Sequence, residues 1–391
     1  IQLLSMDISY IINVLAEERE NYFNAVSPPI MQTSNFVFKT VDEMRKAFAD
    51  EYSTYLYSRG RNPTVDILRK KLAALDGAED CLVFNSGAAA IYSSVVPFVS
   101  QGDHIISVRK PYTWAQKLFD LWLPKFGVTT TYVDGRTIQN IENVIQTNTK
   151  IIYLESPNSW DYAIQDLKRI SALAKSKNIL TVVDNSYCTP IYQKPIELGI
   201  DISIQSATKY IGGHSDVVAG VLCGPKILLK KIFDLDYLLV GNGIQPFNAW
   251  LLIRGLRTLP VRLEAISKTT RLVIEYLKCH PKIEKVLFPL DPDFDQYLLA
   301  SEQMQGACGL FSVIVRTEKA EYIERFCEAL KCFFIAVSWG GYESLVIPKV
   351  AGIEISSFDA HQTDHRMIRF YVGLESADYL INDLKQALEF L

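Results

Sequence analysis

The sequence predicts an α/β protein: a mostly parallel central sheet with helices on both faces, followed by a smaller C-terminal α+β domain. Three observations carry this. Up to residue 255, short apolar runs alternate with helical segments of crossover length, the rhythm of right-handed βαβ units. The runs are continuous rather than alternating, as strands covered on both faces are. The segment from Gly255 to Pro260 then breaks the rhythm, and a different spacing of elements follows.

Taken in order, "PTVDILRKKLAALDGA" opens at Pro63 and closes at Gly77, with Val65, Leu68, Leu72 and Leu75 at helical spacing. "DCLVF" reads as a strand and "GAAAIYSSVVPFV" as a buried helix. "DHIISV" is a strand, "WAQKLFDLWLPKFG" a helix and "VTTTYV" a strand. "TIQNIENVIQ" is a helix, "KIIYLE" a strand, "LKRISALAKSKN" a helix, and "ILTVVD" and "IDISIQ" are strands. Beyond Pro260 the pattern predicts a long helix over 261–280, strands near 283–287, 309–315 and 367–372, and a closing amphipathic helix, "SADYLINDLKQALEFL". The expected division is an N-terminal arm (1–60), a main domain (61–255) and a C-terminal domain (256–391).

Composition narrows the function. A chain of 391 residues with 49% hydrophobic and 21% charged residues can bury a large core. A net charge of -4 gives no electrostatic case for nucleic acid or an anionic membrane surface. No apolar run reaches the roughly 20 residues of a membrane span, and the start lacks the pattern of a signal peptide. The 7 cysteines are scattered without a CxxC pair, which points to a reduced, cytoplasmic protein rather than a disulfide scaffold. No metal is expected: among the 5 histidines, His361 and His365 are four apart but in a polar stretch without further ligands.

In open α/β sheets ligands sit at the carboxyl ends of the strands. After "CLVF" comes "NSGAAA", where Gly87 and Ala88 can offer backbone N–H groups to an anion at a helix start. After "ILTVV" comes Asp184. After "IDISIQ" come Ser206, Thr208 and Lys209. Singly, each reads equally well as a turn, an N-cap or a capping cluster. Together they are the parts of a pyridoxal phosphate site: a lysine for a Schiff base, a carboxylate for the ring nitrogen, and donors for the phosphate. A Walker loop and a GxGxxG fingerprint are absent.

Five stretches extend this. "AVSPPIMQTSNFVF", "YSRGRNPT", "SATKYIGGHSDVVAG", "SWGGYESL" and "IRFYVGLESADYLINDLKQAL" occur in this order along nearly the whole chain. They resemble the signatures of the Cys/Met-metabolism, or transsulfuration, family of fold type I pyridoxal-phosphate enzymes. The resemblance implies Lys209 as Schiff-base lysine and proton shuttle, Asp184 as partner of the pyridine nitrogen, and Tyr112 as the ring-stacking residue that helps deprotonate the substrate amine. It implies Gly87, Ala88, Ser206 and Thr208 at the phosphate, with Tyr57 and Arg59 reaching the same phosphate from a neighbouring subunit. That implies a homodimer at least, assembled into a homotetramer. Arg369 and Ser338 would hold the substrate carboxylate. Where much of the family has E-S-P-T-N-P this chain has "ESPNSW", leaving Asn158 and Ser159 as candidates at that place. Ser159 and Trp339 resemble the cystathionine β-lyase branch, whereas "YSRGRNPT" resembles the γ-synthase, γ-lyase and sulfhydrylase branches. Trp114 stands where methionine γ-lyases carry a cysteine. The expected activity is a carbon–sulfur lyase acting on cystathionine or a related sulfur amino acid by α,β-elimination. The alternatives are γ-elimination or γ-replacement, and more remotely a non-catalytic regulatory homologue.

Overall fold

The computed structural model describes residues 6–391. The chain forms two compact units: residues up to Ser156, Gln165–Gly212 and Asp216–Arg257 in the first, and Pro157–Ile164, Gly213–Ser215 and Thr258–Leu391 in the second.

The first unit is built on a seven-stranded sheet. Its strands are β1 (Asp80–Phe84), β2 (His104–Val108), β3 (Thr129–Val133), β4 (Thr149–Glu155), β5 (Leu180–Asp184), β6 (Ile202–Ser206) and β7 (Gly220–Gly224), in the order β1-β7-β6-β5-β4-β2-β3. The pairs from β3 to β6 are parallel, and β7 runs antiparallel to both β6 and β1. The continuous apolar strands have a direct cause. Ile105, Ile151 and Val182 belong to one buried cluster, together with Ala90 and Ile91 of the helix Gly87–Val95. Their neighbours Ile106, Ile152 and Val183 belong to another, together with Leu167 and Ile170 of the helix Leu167–Ser176. Alternate side chains thus enter two separate apolar layers.

Local signals set the helix ends. In Pro63–Asp76 the Asn62 side chain accepts from the Thr64 N–H at 3.0 Å, Pro63 takes the first position, and Gly77 closes it at φ 70°. The N-terminal segment is tied down by a buried charge. Lys71 Nζ donates to the Ile11 and Ile12 carbonyls at 2.9 and 3.2 Å and pairs with Glu17 at 3.1 Å, and Glu17 also receives Arg257 at 3.0 Å.

The second unit carries a five-stranded sheet of β8 (Ile283–Leu287), β9 (Leu310–Val315), β10 (Phe334–Ile335), β11 (Leu345–Pro348) and β12 (Met367–Tyr371), in the order β10-β11-β12-β9-β8. All pairs are antiparallel except β10 with β11.

Several expectations need correction. Gly255 to Pro260 is not a break before a helix over 261–280: both residues lie inside one helix, Pro246–Lys278. Leu252, Leu256, Leu259, Leu263 and Ile266 are all fully buried along it. This continuous apolar face offsets the roughly 3 kcal/mol that an interior proline costs. The segment around residues 113–126 is helical but changes winding, from α over Thr113–Lys117 to π over Leu118–Trp122 and 3₁₀ over Leu123–Phe126. The helix expected over 137–146 is only Ile138–Glu142. Strands β7, β10 and β11 were not anticipated: β7 is a five-residue run bounded by glycines, and β10 has two residues.

Candidate active site

In the first unit the expected residues gather where β5 and β6 end. Asp184 closes β5, and its carboxylate accepts from the Ser186 N–H at 2.9 Å, the turn an aspartate forms with the residue two positions on. The Ser186 hydroxyl in turn accepts from the Ser206 N–H at 2.7 Å, and the Asn185 N–H donates to the Ile204 carbonyl at 2.8 Å. These bonds lock the two strand ends together. Immediately after β6 the Lys209 N–H donates to the Ser206 carbonyl at 3.1 Å, and the half-buried lysine lies near enough for its charge to act on Asp184. Burial raises the Asp184 pKa above the usual carboxylate value; the Ser186 bonds and the Lys209 charge pull it down without overcoming the burial.

Beside this pair the helix Gly87–Val95 begins. Its N-cap Ser86 accepts from the Ala89 N–H at 3.1 Å, and the Ala90 N–H reaches the Ser86 carbonyl at 3.2 Å. The Gly87 and Ala88 N–H groups have no acceptor in their own helix. A β-carbon on Gly87 would come within 3.1 Å of Ser206 Oγ, so glycine is what brings that hydroxyl up to the helix start. Gly220 of β7 likewise packs against the Ser86 backbone where any side chain would collide. Two N–H groups, a hydroxyl and the helix dipole form a donor set for an anion. Thr208 is different. Its hydroxyl accepts from the Ala219 N–H at 3.0 Å and donates to the Ala219 carbonyl at 3.2 Å, so its one proton is committed to the backbone.

Tyr112 caps the helix Thr113–Lys117, and its N–H donates to Glu155 at the end of β4 at 2.6 Å. Burial, then the charges of Asp184 and Glu155, push its phenol pKa up. That direction suits a stacking ring better than a base in the single chain. Tyr57 and Arg59 line a different depression of about 340 Å³, beside Gln32, Ser34 and Gln245, with the Arg59 guanidinium 5.2 Å from the Tyr57 ring centre.

In the second unit Arg369 sits in the middle of β12, opposite Ser312 of β9, and is buried. Its guanidinium lies over the Trp160 and Trp339 rings, and Nη1 donates to the Ser159 carbonyl at 3.1 Å. Ser338 is held at φ 85°, a left-handed backbone that costs a non-glycine residue about 1–3 kcal/mol, and the next residue but one, Gly340, is at φ 89°. This bend buries Trp339 between exposed Val337 and Tyr342. The Asn158 side chain accepts from the Trp160 N–H at 2.9 Å and the Asp161 N–H at 3.4 Å, so it shapes its own loop.

Sequence reasoning missed Ser86, Glu155, Ser186 and Trp160. Ser86 and Ser186 had a readable signal, a serine before a helix and a serine two residues beyond a strand-end aspartate. Trp160 had none beyond its place in "ESPNSW".

Comparison with known proteins places the chain in a family. Residues 10–389 match the family described as Cys/Met metabolism PLP-dependent enzyme. The chain is 35% identical to an L-methionine gamma-lyase of Treponema denticola, over 95% of this chain and 94% of that enzyme. It is 35% identical to a chloroplastic cystathionine beta-lyase of Arabidopsis thaliana, over 94% and 78%, and 34% identical to a cystathionine gamma-lyase of Bacillus subtilis, over 93% and 94%. The crystal structure of metB from Corynebacterium glutamicum superposes with a TM-score of 0.90 at 29% identity, covering 98% of both chains. The strand-end cluster, the two-sheet fold and the match along nearly the whole chain lead to one conclusion: the protein belongs to the Cys/Met metabolism family and is a pyridoxal-phosphate-dependent carbon–sulfur lyase of the transsulfuration kind.

Proposed function

We propose that the chain cleaves cystathionine or a related sulfur amino acid by α,β-elimination, releasing a thiol, pyruvate and ammonia. The observation that supports the cofactor chemistry of this reading is the meeting of Lys209, Asp184 and the Gly87 helix start at one end of the seven-stranded sheet; the β route rests on the likeness of Ser159 and Trp339 to the β-lyase branch. The residues fit pyridoxal phosphate on their own chemistry: an amine, an anion-binding helix start, and a buried carboxylate whose raised pKa calls for a cation such as a protonated ring nitrogen. When bound, the cofactor supplies an aldehyde that captures the substrate amine and a ring that accepts electrons from the α-carbon.

In this reading Asp184 holds the proton on the ring nitrogen. Lys209 removes the substrate α-proton and delivers a proton to the departing sulfur. Gly87, Ala88 and Ser206 hold the phosphate, and Thr208, with its hydroxyl on Ala219, braces the turn that presents Lys209. Tyr112 stacks on the ring. Arg369 pairs with the substrate carboxylate through its planar fork, in a pocket shaped by Ser338, Trp339, Asn158 and Ser159. Tyr57 and Arg59 serve the phosphate of a second copy. The N-terminal arm favours this: Phe23, Val37 and Phe48 are exposed, which a partner chain would cover. The domain division proposed remains an arm (1–60), a cofactor domain (61–255) and a C-terminal domain (256–391), in a homodimer or homotetramer. Seven scattered cysteines without a CxxC pair favour a reducing, cytoplasmic setting, and no helix among the described residues is long and apolar enough to cross a membrane.

A second reading, γ-elimination, is favoured by the relatives named methionine and cystathionine gamma-lyases. It requires a further proton removal at Cβ. The likeness of Ser159 and Trp339 to the cystathionine β-lyase branch, and Trp114 in place of the cysteine of methionine γ-lyases, support the β route. Incubation of the purified protein with cystathionine decides between them. Pyruvate with homocysteine is expected; 2-oxobutyrate with cysteine would overturn the β assignment.

A further inference from the structure

Trp160 supplies the nearer of the two aromatic faces that hold Arg369. The guanidinium carbon is 4.6 Å from the Trp160 ring centre and 5.1 Å from that of Trp339. A cation over an indole is attracted by the ring quadrupole, more strongly where water is excluded, and Arg369 and Trp339 are both buried. Such contacts consume no N–H donor.

Trp160 is itself fixed from several sides. Its carbonyl accepts from the Ser312 hydroxyl at 2.9 Å, and its N–H donates to Asn158 Oδ1 at 2.9 Å. Ser312 stands directly opposite Arg369 in the β9–β12 ladder. The same strand pair therefore carries both the cation and the hook that seats the ring. The Tyr162 hydroxyl, 3.2 Å from Ser312 Oγ, and the Arg369 bond to the Ser159 carbonyl close the loop onto the sheet. Lys349 Nζ lies 4.7 Å from the Trp160 ring centre, so this indole faces two cations.

From this arrangement we infer that Trp160 is a positioning residue for carboxylate recognition. With Trp339 it orients the Arg369 guanidinium, so that the N–H fork is presented to the substrate carboxylate, and it thereby contributes to selectivity for amino acids over amines. The inference rests on Arg369 as the carboxylate anchor.

The test compares two probes on the cofactor-loaded enzyme, L-alanine and ethylamine, which differ in the carboxylate. Equilibrium binding is read from the change in visible absorbance, for wild type, Trp160→Leu, Trp160→Phe and Arg369→Lys. Trp160→Leu is expected to weaken L-alanine about tenfold, the scale of a desolvated cation–π contact, and to leave ethylamine unchanged. Trp160→Phe keeps a π face and should weaken L-alanine only about threefold. Equal effects on both probes, or none on either while Arg369→Lys loses L-alanine, would overturn the role of Trp160 and leave that of Arg369 standing. If Arg369→Lys also binds L-alanine as wild type does, the anchor itself is wrong. Should Trp160→Leu fail to fold, the difference between the two probes in Trp160→Phe carries the same decision.

Discussion

The two sheets hold their charged groups by different physics. At the end of the seven-stranded sheet, Asp184 is set by a backbone N–H, Lys209 by a tight turn, and the anion site by a helix start. In the five-stranded sheet, Arg369 is set against two indole faces, with a bond to the Ser159 carbonyl. In the proposed reading the first arrangement holds groups for one cofactor of constant shape, and the second holds a cation in a plane against which a ligand can enter and leave. Hydrogen bonds specify a position; π faces specify a plane.

The largest effect should come from the first region. Lys209→Ala removes the only group assigned to move the α-proton, and turnover should fall by several orders of magnitude, in line with loss of an essential acid–base group. The protein should still bind pyridoxal phosphate, seen by dialysis and absorbance. If Tyr57 and Arg59 complete a neighbour's site, mixing inactive Lys209→Ala and inactive Arg59→Ala chains should restore part of the activity. Mixed dimers would hold one site with both residues intact. No recovery despite demonstrated subunit exchange would count against the shared site.

A smaller effect is expected in the second region. Arg369→Lys keeps the charge but loses the planar fork and much of the stacking. Arg369→Lys should therefore be impaired in kcat/KM, and Arg369→Ala, which loses the whole charge-assisted pair at about 3 kcal/mol, should fall on the order of a hundredfold. Cofactor absorbance should be unaffected. Near-wild-type kcat/KM in Arg369→Ala would place the carboxylate anchor elsewhere.

What was legible in the sequence follows the same division. The Asp184, Lys209 and Gly87 positions were readable because each is a local pattern at a strand end: a carboxylate, a lysine after small hydroxylated residues, a serine-glycine pair opening a helix. The resemblance added Arg369 and Trp339, but not how Arg369 is held. That clamp draws on residues 160, 339 and 369, far apart in the chain, and no periodicity or spacing encodes it. The fold misses were of two kinds. Pro260 has a strong local preference that a continuous buried face overrode. Strands β7, β10 and β11 are too short or too glycine-bounded to show a period of two.

Asp76 sharpens the comparison, because it is a buried carboxylate with neither device. It ends the helix Pro63–Asp76, and both of its oxygens are buried, with the Ser203 hydroxyl and the Cys223 thiol close by but no hydrogen bond of full geometry. Burial raises its pKa to about 6, and Ser203, Cys223 and the charge of Lys194 offset this only in part. Asp184 has a backbone N–H and a nearby lysine amine; Asp76 has no such pair, so its shift marks a structural cost rather than a site. The sign follows from linkage. The folded state holds this proton more tightly than the unfolded state, whose value is 3.8. The stabilisation is therefore complete below the unfolded pKa and is lost as pH rises through about 6. A shift of this size corresponds to about 3 kcal/mol. Asp76→Asn removes the titration, so the variant should gain on wild type as pH rises from acid to neutral. Denaturant midpoints of the two proteins across that range, at fixed cofactor concentration, measure the difference and cancel groups they share, Asp184 included. Parallel profiles would mean that Asp76 is solvated or partnered in solution, and that it is not the uncompensated carboxylate the comparison takes it to be.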